Sequence, residues 1–221
     1  VGRNNLGQLG TGNTNDVPVP VQVSSDVAHI STSMTHSLFV KNDGSLWAMG
    51  DNSEGQLGDR SGTARLTPVK VAEGVSVGEA GYDYSLFIKT DGAYFAAGTG
   101  STTIGTELTY PVTPGSTFQA TSTPVEAESD VIEVAAAESR SLFIKADGTL
   151  WTSGGSSGYV RIPRLVAADV KAVAAGREHD LFIKTDNSLW AVGNNSYGQL
   201  GDGTLTSRSE PVQIATDVSK I

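Results

Sequence analysis

The sequence contains no cysteine, has few basic residues and lacks a long apolar run. Without cysteine the chain can form no disulfide, thiolate nucleophile or cysteine-ligated metal site. Its 15 Lys and Arg residues face 24 Asp and Glu residues, which gives a net charge of −9. Nucleic acid is therefore not expected as a partner, because phosphate contacts need clustered Lys and Arg. Membrane insertion is not expected either, since no apolar stretch reaches spanning length.

Composition says less about the compartment. Glycine is abundant at 26 residues, serine and threonine are frequent, and lysine is scarce. This composition favours a secreted or cell-surface protein of a bacterium, with a cytoplasmic location as the alternative. No signal peptide opens the chain, and its first residues are typical of an interior cut.

One phrase repeats along the chain. SLFVKNDGSLW at 37–47 returns in recognisable form at 85–95, 141–151 and 180–190. The copies begin 48, 56 and 39 residues apart, which is the length of one small supersecondary unit. Such a chain is interpreted as an array of repeats.

Each copy predicts a β-hairpin, because two apolar runs are joined by Asp-Gly or Asp-Asn. Leu38, Phe39 and Val40 are consecutive, so both faces of the strand are apolar and other sheets should cover them. The aspartates of the turns are interpreted as turn residues, not as catalytic or metal-binding groups. They are Asp43, Asp91, Asp147 and Asp186.

A glycine-rich loop follows the hairpins, at 2–12, 50–60 and 193–203. Its Gly and Asn residues predict a tight loop with conformations that other residues rarely adopt. Phosphate binding is disfavoured, because no Gly-Lys-Ser/Thr follows and no helix pattern begins after the loop.

Two further strands complete the predicted unit. A proline-led strand follows each loop and belongs at an outer edge, since proline lacks an amide hydrogen. These strands are predicted at 18–23, 68–71, 124–127, 163–166 and 211–214. An inner strand that ends in small residues precedes each hairpin, at 27–33, 75–81, 131–137 and 170–176.

Four antiparallel strands repeated around an axis predict an all-β fold, the β-propeller. The small-residue strand, His-Ser-Leu, Asp-Gly, the aromatic residue and Gly-x-Asn-x-x-Gly-Gln-Leu-Gly recur in this order. Together they resemble the repeats of the regulator of chromosome condensation family, and the chain resembles a bacterial-type member of that family. The resemblance implies a propeller, typically of seven blades, and it permits guanine-nucleotide exchange activity.

We expect a single β-propeller domain over 1–221, with four complete blades plus a partial one. The predicted parts are an outer strand of a split blade (1–25), blades at 26–74, 75–129, 130–168 and 169–216, and the start of the next inner strand (217–221). Open sheet edges are avoided in proteins. We therefore expect a fragment of a larger ring, or a ring that another copy or a missing segment completes.

The turns between inner and second strands differ most among the copies. In a ring they meet at one mouth of the central channel, and their mixed aromatic, basic and acidic side chains suit protein recognition. Unselected surface variation is the alternative. A long loop near 107–122 adds two aromatic residues. The candidate partner-binding residues are Met34, Tyr82, Asp83, Glu138, Arg177 and Glu178, with Tyr110 and Phe118 in the loop.

His36 and His179 share one repeat position with Tyr84 and Arg140. Because three residue types fill this position, we predict a structural role there, such as a hydrogen bond to a neighbouring blade. No metal site and no cofactor are expected. His29 lies in an inner strand without a partner that the sequence names.

The function we favour from the sequence is a non-catalytic protein-binding scaffold. One alternative is an exchange-factor-like regulator of a small GTPase. The other is a propeller lyase or hydrolase, which would need a clustered pair of perturbed carboxylates at the channel.

Overall fold

A computed structural model describes residues 1–99, 121–154 and 163–221. Tyr110, Phe118 and most of the predicted long loop lie outside these residues. Within them the chain has no α-helix, and none of it forms a helix long and apolar enough to cross a membrane.

Sixteen strands form four antiparallel sheets of four strands, each in chain order. The all-β prediction with four-stranded blades is therefore confirmed. The first sheet contains β1 (Val27–Thr32), β2 (His36–Lys41), β3 (Leu46–Gly50) and β4 (Arg65–Ala72); the second contains β5 (Val75–Ala80), β6 (Tyr84–Lys89), β7 (Tyr94–Gly98) and β8 (Thr121–Glu128). The third contains β9 (Val131–Ala136), β10 (Arg140–Lys145), β11 (Leu150–Gly154) and β12 (Arg164–Ala167); the fourth contains β13 (Val170–Ala175), β14 (His179–Lys184), β15 (Leu189–Gly193) and β16 (Arg208–Ala215).

The first strands of successive sheets, β1, β5, β9 and β13, contact one another, so they are the inner strands. The fourth strands pair only with the third strands and lie at the outer edges. Pro68, Pro124 and Pro211 lie inside β4, β8 and β16, and do not lead them as the sequence suggested. An edge strand tolerates proline in its interior, because one of its sides has no ladder to supply.

The hairpin turns follow the predicted chemistry. In the first, Asp43 Oδ1 accepts hydrogen bonds from the backbone N–H of Ser45 at 2.9 Å and from its hydroxyl at 2.6 Å. The Ser45 hydroxyl in turn accepts from the Trp47 indole N–H at 2.8 Å. These bonds, that of the hydroxyl first, lower the pKa of Asp43. Asp147 and Asp186 repeat the arrangement.

The core lies between the sheets, because the hairpin strands are apolar on both faces. Leu38 and Val40 of β2 point toward the second sheet and pack in one buried cluster with Phe87. Leu86 and Ile88 of β6 face the third sheet and pack with Phe143 in the same way. A further cluster places Leu142 and Ile144 against Phe182. The second, third and fourth copies thus insert their phenylalanine against the leucine of the preceding blade.

One strand prediction was wrong. Residues 18–23 form no strand, and the pairing in this part of the chain is a single bridge between Gly2 and Val17. The other outer strands pair with a third strand of their own sheet, whereas no strand of the described residues pairs with this stretch. Strand propensity cannot replace a partner, so Val19 and Val21 remain 62% and 46% exposed.

Candidate functional site

The turns between inner and second strands lie on the same end of the sheets as the glycine-rich loops. The backbone N–H of Asp51 donates to the Thr35 carbonyl at 3.0 Å, and that of Asn194 donates to the Glu178 carbonyl at 2.9 Å. The Gln8 side chain reaches the Met34 carbonyl at 3.2 Å. We call this surface the mouth face, made of the turns 33–35, 81–83, 137–139 and 176–178 and the loops 2–12, 50–60 and 193–203.

A buried asparagine holds each loop of the mouth face. The Asn52 side chain is fully buried, donates to the carbonyls of Ser61 and Thr63 at 2.9 and 3.2 Å, and accepts from the Leu57 N–H at 3.0 Å. Asn4 and Asn195 make the corresponding bonds. From the sequence these residues were interpreted only as part of a glycine-rich loop, and their role in holding the loop together was not predicted. Their identical position in the three loops was the available signal.

The predicted structural role of the His36 position is confirmed. His36 is fully buried, and its Nε2 lies 2.9 Å from the Ser85 hydroxyl in the next sheet. At the corresponding place the Tyr84 hydroxyl lies 2.7 Å from the carbonyl oxygen of Ala137 and 2.6 Å from that of Arg140. We call these side chains, with Arg140 in the third sheet, the interblade latch.

The third member of the latch is ionic. The Arg140 guanidinium donates to Asp180 Oδ1 at 2.6 Å and to the carbonyls of Arg177 and His179 at 2.9 and 3.0 Å. Burial nevertheless raises the pKa of the Asp180 carboxyl, against the opposing effect of Arg140. The latch residues thus fix the sheets to one another and leave the side chains of Met34 and Tyr82 exposed.

Four of the predicted partner-binding residues line one cleft of about 460 Å³ in the middle of the mouth face. They are Met34, Tyr82, Glu138 and Arg177, one from each sheet. Met34 is 71% exposed and Tyr82 is 42% exposed. Small residues of the inner strands and turns line the rest of the cleft, including Ala80, Gly81, Ala136, Ala137, Ala175 and Gly176.

The remaining predicted residues lie elsewhere. Glu178 is not among the lining residues of the cleft, and its carboxylate accepts a hydrogen bond from the Asn194 side chain at 2.6 Å. Asp83 follows Tyr82 and is also outside the lining. Tyr110 and Phe118 belong to the part of the chain that the structure does not describe.

Asp83 faces other carboxylates. Burial raises the pKa of its carboxyl, and the carboxylates of Glu54 and Asp51 raise it further. Glu54 and Asp51 belong to the adjacent loop 50–60, for which the sequence predicted only a tight loop. The mouth face therefore has an acidic side next to Tyr82.

The channel wall carries a second cluster of polar side chains. Glu79 of β5 accepts a hydrogen bond from the Ser31 hydroxyl at 2.7 Å, and its other oxygen lies 3.0 Å from His29 Nε2. Glu133 of β9 accepts from the backbone N–H of Val173 at 3.0 Å. Both carboxylates and His29 line one cleft of about 520 Å³. His29 thus has a partner that the sequence could not name.

The carboxylates of Glu79 and Glu133 are one candidate for the pair that a propeller enzyme would need. Asp83 with Glu54 and Asp51 at the mouth face is another. Burial raises the pKa of the Glu133 carboxyl, with a smaller contribution from Glu79. Each carboxylate of the first pair, however, accepts hydrogen bonds from the neighbouring inner strand, so this pair ties strands together. No cluster of three or more His, Asp or Glu residues among the described residues could hold a metal ion.

Comparisons with known families agree with this architecture. A model of the Regulator of chromosome condensation (RCC1) repeat matches residues 1–40, 43–88 and 186–221, more than half of the chain. The chain belongs to the RCC1 repeat family. A second model of the same repeat matches residues 27–56 and 170–199. No curated protein matches the sequence.

Solved structures of the same family architecture are similar to the chain. Human WBSCR16 has a TM-score of 0.76 at 18% identity, with 97% of this chain and 61% of that chain covered. Prp20p of Saccharomyces cerevisiae has a TM-score of 0.70 at 19% identity, over 91% and 53%. Yeast Prp20 bound to Kap60 has a TM-score of 0.68 at 18% identity, over 91% and 51%. The chain spans about half to three fifths of these proteins, and the likeness shows the shared fold.

Proposed function

We propose that this RCC1-repeat chain is a non-catalytic protein-binding scaffold that contacts its partner through the mouth face. The observation that carries the proposal is that the residues that hold the sheets together differ from the residues whose side chains are exposed in the turns. His36, Tyr84 and Arg140 are used to hold the sheets together, whereas the exposed tips Met34 and Tyr82 make no such contact through their side chains in the described residues.

The chemistry of the cleft supports a protein partner. Protein interfaces are centred on aromatic, Met and Arg side chains over a well-packed base. Tyr82, Met34 and Arg177 stand around a floor of small residues that the inner strands hold rigidly. The fold neighbour Prp20 has been crystallised bound to Kap60, and Prp20p has been studied for its binding to Gsp1p and histones.

The proposal is tested with a displayed library of random peptides and protein fragments, selected on the immobilised wild-type protein. Binders are then titrated against a Tyr82→Ser/Arg177→Ser variant. A matched control, Val19→Ser/Val21→Ser, removes exposed apolar side chains outside the mouth face.

We expect the mouth-face variant to weaken selected binders by roughly 30-fold or more, the effect of losing a hot-spot side chain. The control should leave their affinity unchanged. If all selected binders keep their affinity for the mouth-face variant, the proposal is wrong.

Three further features remain predictions. Exchange activity would appear as faster release of a labelled guanine nucleotide from small GTPases, and its absence across a panel would remove that alternative. A secreted or cell-surface location in a bacterium, with a cytoplasmic one as the alternative, is tested by fractionation of the source cells. Binding to nucleic acid is not expected, and a gel-shift titration tests this.

A further inference from the structure

We infer that the mouth face takes a peptide segment in which an apolar side chain stands next to basic ones. The apolar side chain would enter the cleft between Met34 and Tyr82, and the basic side chains would lie over Asp83 and Glu54. This inference rests on the proposed function and specifies the chemistry of its partner.

The cleft accounts for the apolar part. Its floor is formed by Ala80, Ala136 and Ala175 of three inner strands, so the depth comes from side chains that the ring needs to be small. Met34 and Tyr82 stand at its edge and remain largely exposed. Covering them with a partner removes apolar surface from water, which favours binding.

The acidic side lies directly beside this edge. The Thr35 hydroxyl donates to the Tyr82 carbonyl at 3.0 Å, and the Thr35 carbonyl accepts from the Asp51 N–H at 3.0 Å. The turns that carry Met34 and Tyr82 are therefore fixed to the loop that carries Glu54. Asp83 follows Tyr82 in the same turn, so a ligand that fills the cleft and continues past Tyr82 would lie beside it.

These carboxylates have no basic partner of their own. Among the ion pairs of residues 1–99, 121–154 and 163–221, none includes Asp51, Glu54 or Asp83. Burial raises the pKa of the Asp83 carboxyl, and the nearby carboxylates of Glu54 and Asp51 raise it further. A cation placed there would relieve the repulsion, so charge complementarity selects a basic partner.

The opposite edge of the cleft does not cancel this preference. Arg177 is the cationic side chain of the cleft, and its guanidinium is paired with the Glu138 carboxylate at 2.5 Å. Its charge is compensated within the protein. An acidic ligand would have to compete with Glu138 for it.

The test uses three fluorescein-labelled peptides and fluorescence anisotropy. The first has the sequence Gly-Ser-Lys-Leu-Arg-Lys-Ser-Gly. In the second, serine replaces the leucine; in the third, glutamate replaces each basic residue. We expect the first to bind most tightly, with an affinity that falls as salt is added.

Variants locate the contact. Asp83→Asn and Glu54→Gln should each weaken the first peptide by about two- to five-fold, the usual effect of one exposed charge pair. Asp91→Asn is the matched control, because it removes the same charge from an exposed hairpin turn at the other end of the sheet. It should change nothing.

The outcomes separate this inference from the proposed function. If the acidic peptide binds as well as the basic one, or if Asp83→Asn and Glu54→Gln leave the affinity unchanged, the inference is wrong. The proposed function still stands in that case if library binders depend on Tyr82 and Arg177. If the library yields no binder that depends on these residues, both are wrong.

Discussion

The interblade latch predicts that Arg140 and Asp180 can be exchanged only together. In the preceding interface the same two positions hold Tyr84 and Ser141, which belong to the same repeat register. The Tyr84 hydroxyl contacts the carbonyls of Ala137 and Arg140, whose counterparts in the next turn are Gly176 and His179. Arg140 reaches these two carbonyls as well, at 3.5 and 3.0 Å. Gly81 stands three positions before Tyr84, and a Cβ there would lie 2.2 Å from the Tyr84 ring, whereas Ala137 stands three positions before Arg140. The variants are therefore made in an Ala137→Gly parent, in which Arg140→Tyr/Asp180→Ser transplants one existing interface into another.

The single variants should behave differently. Arg140→Tyr leaves the Asp180 carboxylate without its guanidinium, although that residue is only 8% exposed. An uncompensated buried charge costs about 3–5 kcal/mol in the free energy of unfolding. Asp180→Ser leaves Arg140 with carbonyl partners and should cost about 1–2 kcal/mol, the loss of a charged hydrogen bond. The double variant should lie within about 1 kcal/mol of the Ala137→Gly parent, which corresponds to a coupling energy of at least about 3 kcal/mol.

The loss in Arg140→Tyr should also depend on pH. Burial already raises the folded-state pKa of Asp180 above its ordinary value, and removal of Arg140 raises it further. A carboxyl with a raised folded-state pKa favours the folded protein when it is protonated. The stability of Arg140→Tyr should therefore increase relative to the Ala137→Gly parent as pH falls through that pKa.

Guanidinium denaturation, followed by the fluorescence of Trp151 and Trp190 on the two sides of this interface, measures all four proteins at pH 7 and pH 5. The Ala137→Gly parent and Asp180→Ser are the controls for the pH effect. If the double variant is as unstable as Arg140→Tyr alone, the two residues are not coupled and the latch has been misread.

Four other predictions rest on particular contacts of the structure. Asn52→Ala should lower the unfolding free energy by about 3 kcal/mol, because it leaves buried carbonyls and the Leu57 N–H unpaired. The control Asn5→Ala, at an exposed position, should change it by less than about 0.5 kcal/mol. Faster hydrogen exchange at the Leu57 amide would localise the effect, and an equal loss of stability in the two variants would contradict it. Burial lowers the pKa of His36 to about 4, so the folded protein resists its protonation and loses up to about 3 kcal/mol as pH falls from 6.5 to 4; this slope should flatten in His36→Gln. His29→Gln should act in the opposite sense, because hydrogen bonding to Glu79 raises the pKa of His29 and gives stability that is present below pH 6.5 and lost as pH rises through the raised pKa. Completion of the ring by a second copy should appear as a mass above 22.9 kDa in sedimentation, and completion by a missing segment as an intact denatured mass above 22.9 kDa. Leu181 and Leu189 are half-buried, whereas Leu38 and Leu46 at the same repeat positions are 1% exposed, and this difference favours completion of the ring. A 22.9 kDa monomer would exclude both forms of completion.

The sequence was sufficient to predict the hairpins and the order of strands. Both rest on local signals, namely the Asp-Gly turn and the two-sided apolar run, which act within about ten residues of each other. The strand predicted at 18–23 was wrong because pairing is a non-local property, and proline and valine alone do not supply a partner. The cross-strand bonds of Glu79 were missed for the same reason, since Ser31 is 48 residues away.

The candidate site was only partly accessible from sequence. Comparison of the turns picked out Met34, Tyr82, Glu138 and Arg177, which the structure brings together around one cleft. It gave no reason to place Glu54 beside Asp83, because they belong to different repeats and different types of turn. The position of a loop of one blade relative to a turn of the next is set by packing between the blades. The sequence of either repeat alone does not determine this packing.

The latch explains why a position that holds the fold together looks variable in sequence. Its targets in two of the interfaces include backbone carbonyls, which are present whatever the side chain, so any sufficiently long donor serves. The residue three positions earlier, however, must leave room for the latch side chain or bond to it. A Cβ on Gly81 would lie 2.2 Å from the Tyr84 ring, and one on Gly176 would lie 2.3 Å from the His179 ring. Ser33, in contrast, hydrogen bonds to the His36 ring at 3.0 Å. The residues at positions 33 and 36, 81 and 84, and 176 and 179 are therefore matched to each other, whereas Met34 and Tyr82 can change alone. Recognition can evolve at Met34 or Tyr82 without a cost to folding, and this is the physical reason to look for the partner there.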